Sequence, residues 1–530
     1  MTAFDVVIRG GEVVDGTGAA RRAADVGIRG GGVEVVDDLS GADAAEVIDA
    51  TGKVVAPGFI DVHAHTDLTA SMPDKYGTIK TASLLQGVTT EVCGNCGFTP
   101  FPLEPSRREE FKGFLSGLFA GQRGGFATFA EYREAIGEFD LAVNLAPLVG
   151  HGSLRAGVMG MEDRPPSEDE LARMEAAADR CFEEGAFGLS SGLIYPPGVY
   201  GQTEEVIALA KVAGRHGRPY ATHMRDEADR IVAAIEEALR IGREGNTGVE
   251  ISHHKLAGRN NWGRSEETLG MIERARDSGV DVTIDVYPYT AGSTYLAAAL
   301  PPWVNAGGAP ALVERLRDPD TRRRIDKEVE AGSDEWQSLV DKVGWESVVI
   351  ATTSAHPEFE GKSIVQVAEA MAVAPFDAAC QLLVADPKVL MIIHMMDEAD
   401  VQRIMAAPYA MIGSDGVPTP GKPHPRIAGC FARVLGHYSR EINLFPLEEA
   451  VRKMTSLPAG RFGLKDRGTI ARGKIADLVV FAPTTVIDRA TYDDPLVPPA
   501  GVDAVVVGGK VAVRGGADTG VRSGRVLSPA

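Results

Sequence analysis

Eight apolar, strand-like runs punctuate the middle of this chain, ending near His63, Cys93, Val149, Ser190, His223, His253, Tyr287 and Asp415. Amphipathic helical runs such as "EEVIALAKVAGRHG" and "DRIVAAIEEALRIGREG" alternate with them. That alternation predicts a parallel sheet with crossover helices, and eight repeats predict a (β/α)8 barrel, an α/β fold whose chemistry sits at the C-terminal strand ends. The flanks differ in texture. Residues 1–56 are short Val-rich runs broken by Gly and Asp, and the same texture returns in "GTIARGKIADLVVFAP" and "VDAVVVGGKVAVRGG" near the far end. Short strands with Gly turns at both ends predict one small β-sandwich built from 1–56 and 468–530, with the barrel spanning 57–467. One interruption breaks the barrel rhythm: about 291–355 is too long for a βα loop and carries helical patterning of its own, which predicts an inserted lid subdomain over the barrel mouth.

The chain has 530 residues, too many for one small core and suited to a large domain with a smaller one. A net charge of −20 argues against nucleic-acid or anionic-membrane partners, which rely on basic patches, and says nothing positive about a substrate. No apolar run approaches the ~18 residues of a membrane span, and the first residues lack a signal-peptide pattern, so a cytoplasmic location is the expectation. Five cysteines without regular spacing describe no disulfide framework. Cys93 and Cys96 in "EVCGNCGF" have CxxC spacing, but no second CxxC exists to complete a four-cysteine zinc site.

The stretch "GFIDVHAHTDL" ends a strand in two histidines separated by one residue. Side chains alternate along a strand, so His63 and His65 share a face and converge at its end. An exposed HxH pair can be two solvated residues; a metal site needs further ligands. Strand five supplies His223 in "YATHMRDE", strand six His253 in "VEISHHK", and strand eight Asp415 in "MIGSDG". His254 would point to the opposite strand face, and His151 in "GHGSLR" has no role that the pattern assigns.

An HxH, two later histidines and a final aspartate, each closing a strand, resemble the metal-dependent amidohydrolase superfamily. Many binuclear members bridge two metals with a lysine on strand four, but here that segment is "GAFGLSSGLIYPPG", without lysine. Cys96 is the substitute candidate, since a thiolate is a good zinc ligand, although a buried inert cysteine is the competing reading. With that exchange, "GNCGF", "LVGHGSLR", "THMRDE", "ISHHK", "DVYPYTAGST" and "IGSDG" with "HPR" resemble the D-aminoacylase family, the N-acyl-D-amino-acid deacylases.

The resemblance implies a zinc amidohydrolase that releases a D-amino acid and a carboxylate. It places a tight zinc on Cys96, His223 and His253, a weaker neighbouring site on His63 and His65, and the general base on Asp415. It places substrate contacts on Tyr195, Lys255, Tyr287, Ser293 and Arg426. Two other readings stay open on the sequence alone: an amidase of the same superfamily acting on cyclic amides or dipeptides, and a noncatalytic scaffold. Neither the preferred D-side chain and acyl group nor the oligomeric state follows from the residues.

Overall fold

The computed structural model describes residues 4–71, 77–118, 125–333 and 335–529. Valine-rich segments from both chain ends form two sheets. One has four strands, in the order Gly32–Asp37, Asp25–Arg29, Phe4–Arg9 and Ala44–Asp49. The other has seven and mixes the ends: Val54–Pro57 pairs antiparallel with Leu478–Phe481, Val55 opposite Val480. Alternation turns Val6, Ile8, Val26 and Ile28 of the first sheet and Val55, Leu478, Val480 and Val506 of the second into one shared apolar cluster. Neither end can bury its apolar face without the other.

Between them run the strands that carry the site: β1 (Phe59–Asp61), β2 (Val88–Cys93), β3 (Asn144–Pro147 continued by Val149–Gly150), β4 (Leu189–Gly192), β5 (Tyr220–His223), β6 (Val249–Ile251), β7 (Val282–Val286) and β8 (Ala410–Ile412). Each pairs in parallel with the next within two sheets, β1–β2–β3 and β3–β8, the two pieces of β3 lying one in each. A parallel bridge between Ala64 and Gly416 brings the segment after β1 against the segment after β8. These strands are buried along their length, as expected where helices cover a parallel sheet. The helix Ile231–Gly245 buries Ile231, Ala234, Ile235, Ala238, Leu239 and Ile241, a stripe at three- and four-residue spacing, and ends on Asn246 at φ 51°. Ser167 and Glu170 form a capping box at the start of the helix Glu168–Glu183.

The stretch expected to form an inserted lid subdomain, 291–355, pairs with a strand beyond its end. Ala291–Tyr295 and Val348–Thr352 both pair antiparallel with Leu390–His394, which lies between them, so the unit extends to residue 394. No local pattern in the sequence joins strands so far apart. Among the described residues no single helix is long and apolar enough to cross a membrane.

One buried carboxylate ties the end sheets to the parallel strands. Asp477 pairs with Arg467, accepts from the Gly508 amide at 2.7 Å and from Asn144 Nδ2 of β3 at 3.3 Å, and its carbonyl accepts from Gly58 just before β1 at 2.8 Å. Asp477→Ala would leave the buried Arg467 guanidinium with Asp466 alone as carboxylate partner, and the Gly508 amide and Asn144 Nδ2 without this acceptor, and should destabilise the fold by about 1–3 kcal/mol. The measurement is the urea unfolding midpoint, and an unchanged midpoint would show that the sheets hold together without this ion pair.

Candidate metal centre

Six side chains meet at the C-terminal ends of the parallel strands. Cys96, three residues past β2, lies with its Sγ 3.4 Å from His63 Nε2, 3.8 Å from His223 Nδ1 and 3.7 Å from His253 Nε2. Asp415, just past β8, has Oδ1 3.3 Å from His65 Nε2 and 3.5 Å from His63 Nε2. Two overlapping donor groups result, Cys96–His223–His253 and His63–His65–Cys96–Asp415, each with its ligand atoms within 4.8 Å of one another and all of them buried. The strand periodicity that put His63 and His65 on one face accounts for the second group.

Three of these residues hold a left-handed backbone that L residues rarely adopt: Cys96 at φ 54°, His253 at φ 36° and Asp415 at φ 49°. Such geometry costs on the order of 1–3 kcal/mol per residue and persists only where the surroundings enforce it. They do. The His253 amide donates to Asp285 Oδ1 at 2.9 Å, the Asp415 amide donates to the His63 carbonyl at 2.7 Å, and the Gly97 amide after Cys96 donates to Ser190 Oγ at 3.2 Å.

Two carboxylates orient the rings. Asp285 Oδ2 lies 3.3 Å from His63 Nδ1, and Glu227 Oε1 lies 2.9 Å from His253 Nδ1. A carboxylate on the far nitrogen fixes which ring nitrogen is left to face a metal. The sequence reading missed both acids. Their signal was there: Asp285 interrupts the apolar run of β7, and Glu227 follows His223 by four residues.

The donor set suits zinc, which favours thiolate and imidazole in a compact arrangement. Strand four, ending "LSSG", offers no lysine to bridge two ions, whereas the Cys96 sulfur belongs to both donor groups. Burial pushes the unmetallated Cys96 thiol up to about 11. Metal binding must therefore release a proton, and affinity should weaken as pH falls.

The expected substrate residues gather beside this cluster. Tyr195 stacks edge-on to His223, ring centroids 4.9 Å apart, and its oxygen accepts from Thr294 Oγ1 at 2.9 Å. Lys255 is buried, with Nζ 2.6 Å from Glu227 Oε1 and 2.7 Å from His253 Nδ1. Arg426 is also buried: its Nη1 lies 2.9 Å from Asp415 Oδ2 and its guanidinium 4.5 Å from the centre of the Tyr287 ring, while Lys255 Nζ is 5.8 Å from the same ring. Ser293 meets Arg426 through its carbonyl, at 3.4 Å from Nη2. Burial alone would raise the Asp415 carboxyl, but Arg426 and then His63 hold it well below the usual range. Three residues lie apart. His254 contacts Thr268 at 3.0 Å, His151 contacts Glu205 at 2.7 Å behind the site, and Cys93 is buried within β2.

A family model described as an amidohydrolase family matches residues 46–513. The D-aminoacylase of Alcaligenes xylosoxydans xylosoxydans is 41% identical over 525 residues, covering 99% of this chain and 98% of that protein. A D-aminoacylase structure concerned with a binuclear metal center, one-metal activation and second-metal attenuation matches with a TM-score of 0.84 at 42% identity, over 99% of this chain and 100% of that one. The N-acyl-D-glutamate deacylase from Bordetella bronchiseptica, complexed with zinc and a phosphonate inhibitor that mimics the tetrahedral intermediate, matches with a TM-score of 0.84 at 37% identity, over 99% of both chains.

Because its sulfur joins both donor groups, Cys96 should control metal content. Cys96→Ala is expected to lose most bound zinc, measured by elemental analysis after dialysis. Full zinc content in that variant would assign the sulfur a packing role.

Proposed function

The chain belongs to the amidohydrolase family, and from its buried centre we infer that it is a zinc-dependent hydrolase that cleaves N-acyl-D-amino acids to a D-amino acid and a carboxylate. One observation carries the reading: two buried cations, Lys255 and Arg426, meet around Tyr287 directly beside a thiol–imidazole–carboxylate cluster. A cluster of that kind suits hydrolysis, and the two cations favour an anionic substrate.

We assign the tight zinc to Cys96, His223 and His253, and a second, weaker site to His63 and His65. When bound, zinc polarises the amide carbonyl and lowers the pKa of a water toward ~7. Asp415, kept ionised by Arg426, takes the proton of the attacking water and passes it to the departing amine. The Tyr195 oxygen already accepts from Thr294, so its own hydrogen remains to be donated to the developing oxyanion. Burial raises its pKa well above the phenol range, which keeps that hydrogen in place.

Lys255 donates to Glu227 and lies 2.7 Å from His253 Nδ1, which leaves a further hydrogen of its three to turn to a substrate carboxylate. Arg426 Nε is buried without a hydrogen-bond partner among the described residues, a donor that such a carboxylate would satisfy. Tyr287 and Ser293 complete this anchor. With the carbonyl at the metal and the carboxylate at the cations, exchanging the remaining α-carbon substituents drives the side chain toward the wall, which separates the two enantiomers. The scaffold we propose is a (β/α)8 barrel over about 57–467, with a β-sandwich from both chain ends and a lid that begins at about residue 291.

Asp415→Asn should lower kcat by on the order of 10²-fold or more while the tight zinc stays bound. Turnover and metal content are measured on the same preparation, and retained kcat would move the base elsewhere. Arg426→Ala should lower kcat/KM for N-acyl-D-amino acids by roughly 2–4 kcal/mol of transition-state binding. The corresponding primary amides, which lack the carboxylate and should be poor substrates already, lose much less if Arg426 grips substrate. Equal losses on acid and amide would show that it acts through Asp415 instead.

A further inference from the structure

The anchors described above occupy one side of the mouth. Lys255, Tyr287 and Arg426 follow β6, β7 and β8, whereas Phe98 follows β2 and Tyr195 follows β4. Between the segments that follow β2, β3 and β4 and the unit that begins at Ala291 lies a cavity of about 630 Å³, lined by Phe98, Phe114, Met161 and Tyr195 from the first and by Tyr295 and Ala298 from the second. The volume falls within the roughly 300–1,000 Å³ typical of small-molecule sites.

The cavity adjoins the metal centre across the Tyr195 ring, which lines the one and packs on the other. Phe98, Tyr195 and Tyr295 form a three-ring wall, with centroids 5.3, 6.1 and 5.9 Å apart, and the Tyr195 ring touches His223 at 4.9 Å. Cys96 itself packs in the same apolar cluster as Phe98, Phe114 and Tyr195. The lining offers an anion little. Glu110, Glu162 and Asp163 stand exposed at the rim, and Arg315 donates to the carbonyls of Val304 and Ala306.

Resting on the N-acyl-D-amino-acid reading, we propose that this cavity receives the acyl chain and selects neutral acyl groups longer than acetyl. The geometry follows from the amide. A secondary amide is planar and trans, so its acyl chain and the amino-acid α-carbon leave the C–N bond in opposite directions. With the carboxylate held by Lys255 and Arg426 on the β6–β8 side, the acyl chain must leave toward β2 and β4, where the apolar cavity lies. An acetyl group would leave that cavity without an apolar occupant.

The test measures kcat/KM for N-acetyl-, N-butanoyl-, N-hexanoyl- and N-octanoyl-D-leucine by release of D-leucine. The expected result is a rise of roughly fourfold per added methylene as far as hexanoyl, the size of the effect for burying a methylene group. Ala298→Phe, which projects a ring into the cavity, should lower the octanoyl value at least tenfold more than the acetyl value. A flat profile with good acetyl turnover would overturn the acyl assignment and leave the deacylase reading standing. An Ala298→Phe loss that follows the size of the D-side chain at fixed acyl length would also overturn it, giving the cavity to the amino-acid half. No turnover of any N-acyl-D-amino acid would overturn both readings.

Discussion

Two donors of the centre, from different strands, depend on the two oxygens of Asp285. One accepts from the His253 amide at 2.9 Å and holds that residue in a backbone conformation it would otherwise avoid; the other faces His63 Nδ1 at 3.3 Å. A single buried side chain on β7 thereby sets the positions of donors from β6 and from the segment after β1. Burial would raise its carboxyl, but His63 keeps it below the usual carboxylate range, while neighbouring Glu250, buried and beside that negative charge, is pushed well above it. Like charges that meet away from water drive each other's titrations apart in this way.

A similar economy joins the first and last strands. Asp61 on β1 accepts from the amides of His63 and Ser414 at 3.1 and 2.8 Å and from the Ser414 hydroxyl, so the residue before Asp415 is tied to the residue pair before His63. Glu227 does the corresponding work on the other flank, facing His253 and Lys255 with one oxygen and lying 3.5 Å from His223 Nε2 with the other. Six donors drawn from five strand ends can sit in one place because three buried acids, and not only packing, fix their backbones and ring orientations. Removing water makes these contacts strong and makes each unpaired partner costly.

The arrangement also divides the mouth by polarity. Lys255, Tyr287 and Arg426 follow β6 to β8, and Phe98, Phe114 and Tyr195, which follow β2 and β4, face Tyr295 of the unit after β7. The antiparallel unit beginning at Ala291 spans the two halves, giving the Ser293 carbonyl to Arg426, the Thr294 hydroxyl to Tyr195 and the Tyr295 ring to the apolar wall. Three consecutive residues of one short strand thus touch Arg426, Tyr195 and the apolar cavity. A displacement of that strand would alter all three together.

By itself the sequence determined what depends on local periodicity. Alternating strands and helices, the matching Val-rich ends and the one-residue spacing of His63 and His65 are short-range patterns, and each had its counterpart in the structure. The missing strand-four lysine and the presence of Cys96 were equally legible, because they are matters of residue type. Only the tertiary structure decided what depends on atoms brought together from afar. Asp285 and Glu227 look in the sequence like acids at strand ends, and nothing local says that they face His63 and His253. Arg426 and Lys255 read as cations near the rim, but their pairing with Asp415 and Glu227 requires contacts across 11 and 28 residues. The strand Leu390–His394 pairs with residues nearly a hundred positions earlier, beyond any local pattern. Periodicity is a property of neighbours along the chain, whereas ring orientation, backbone strain and the charge of a buried acid are set by whatever the fold packs against them.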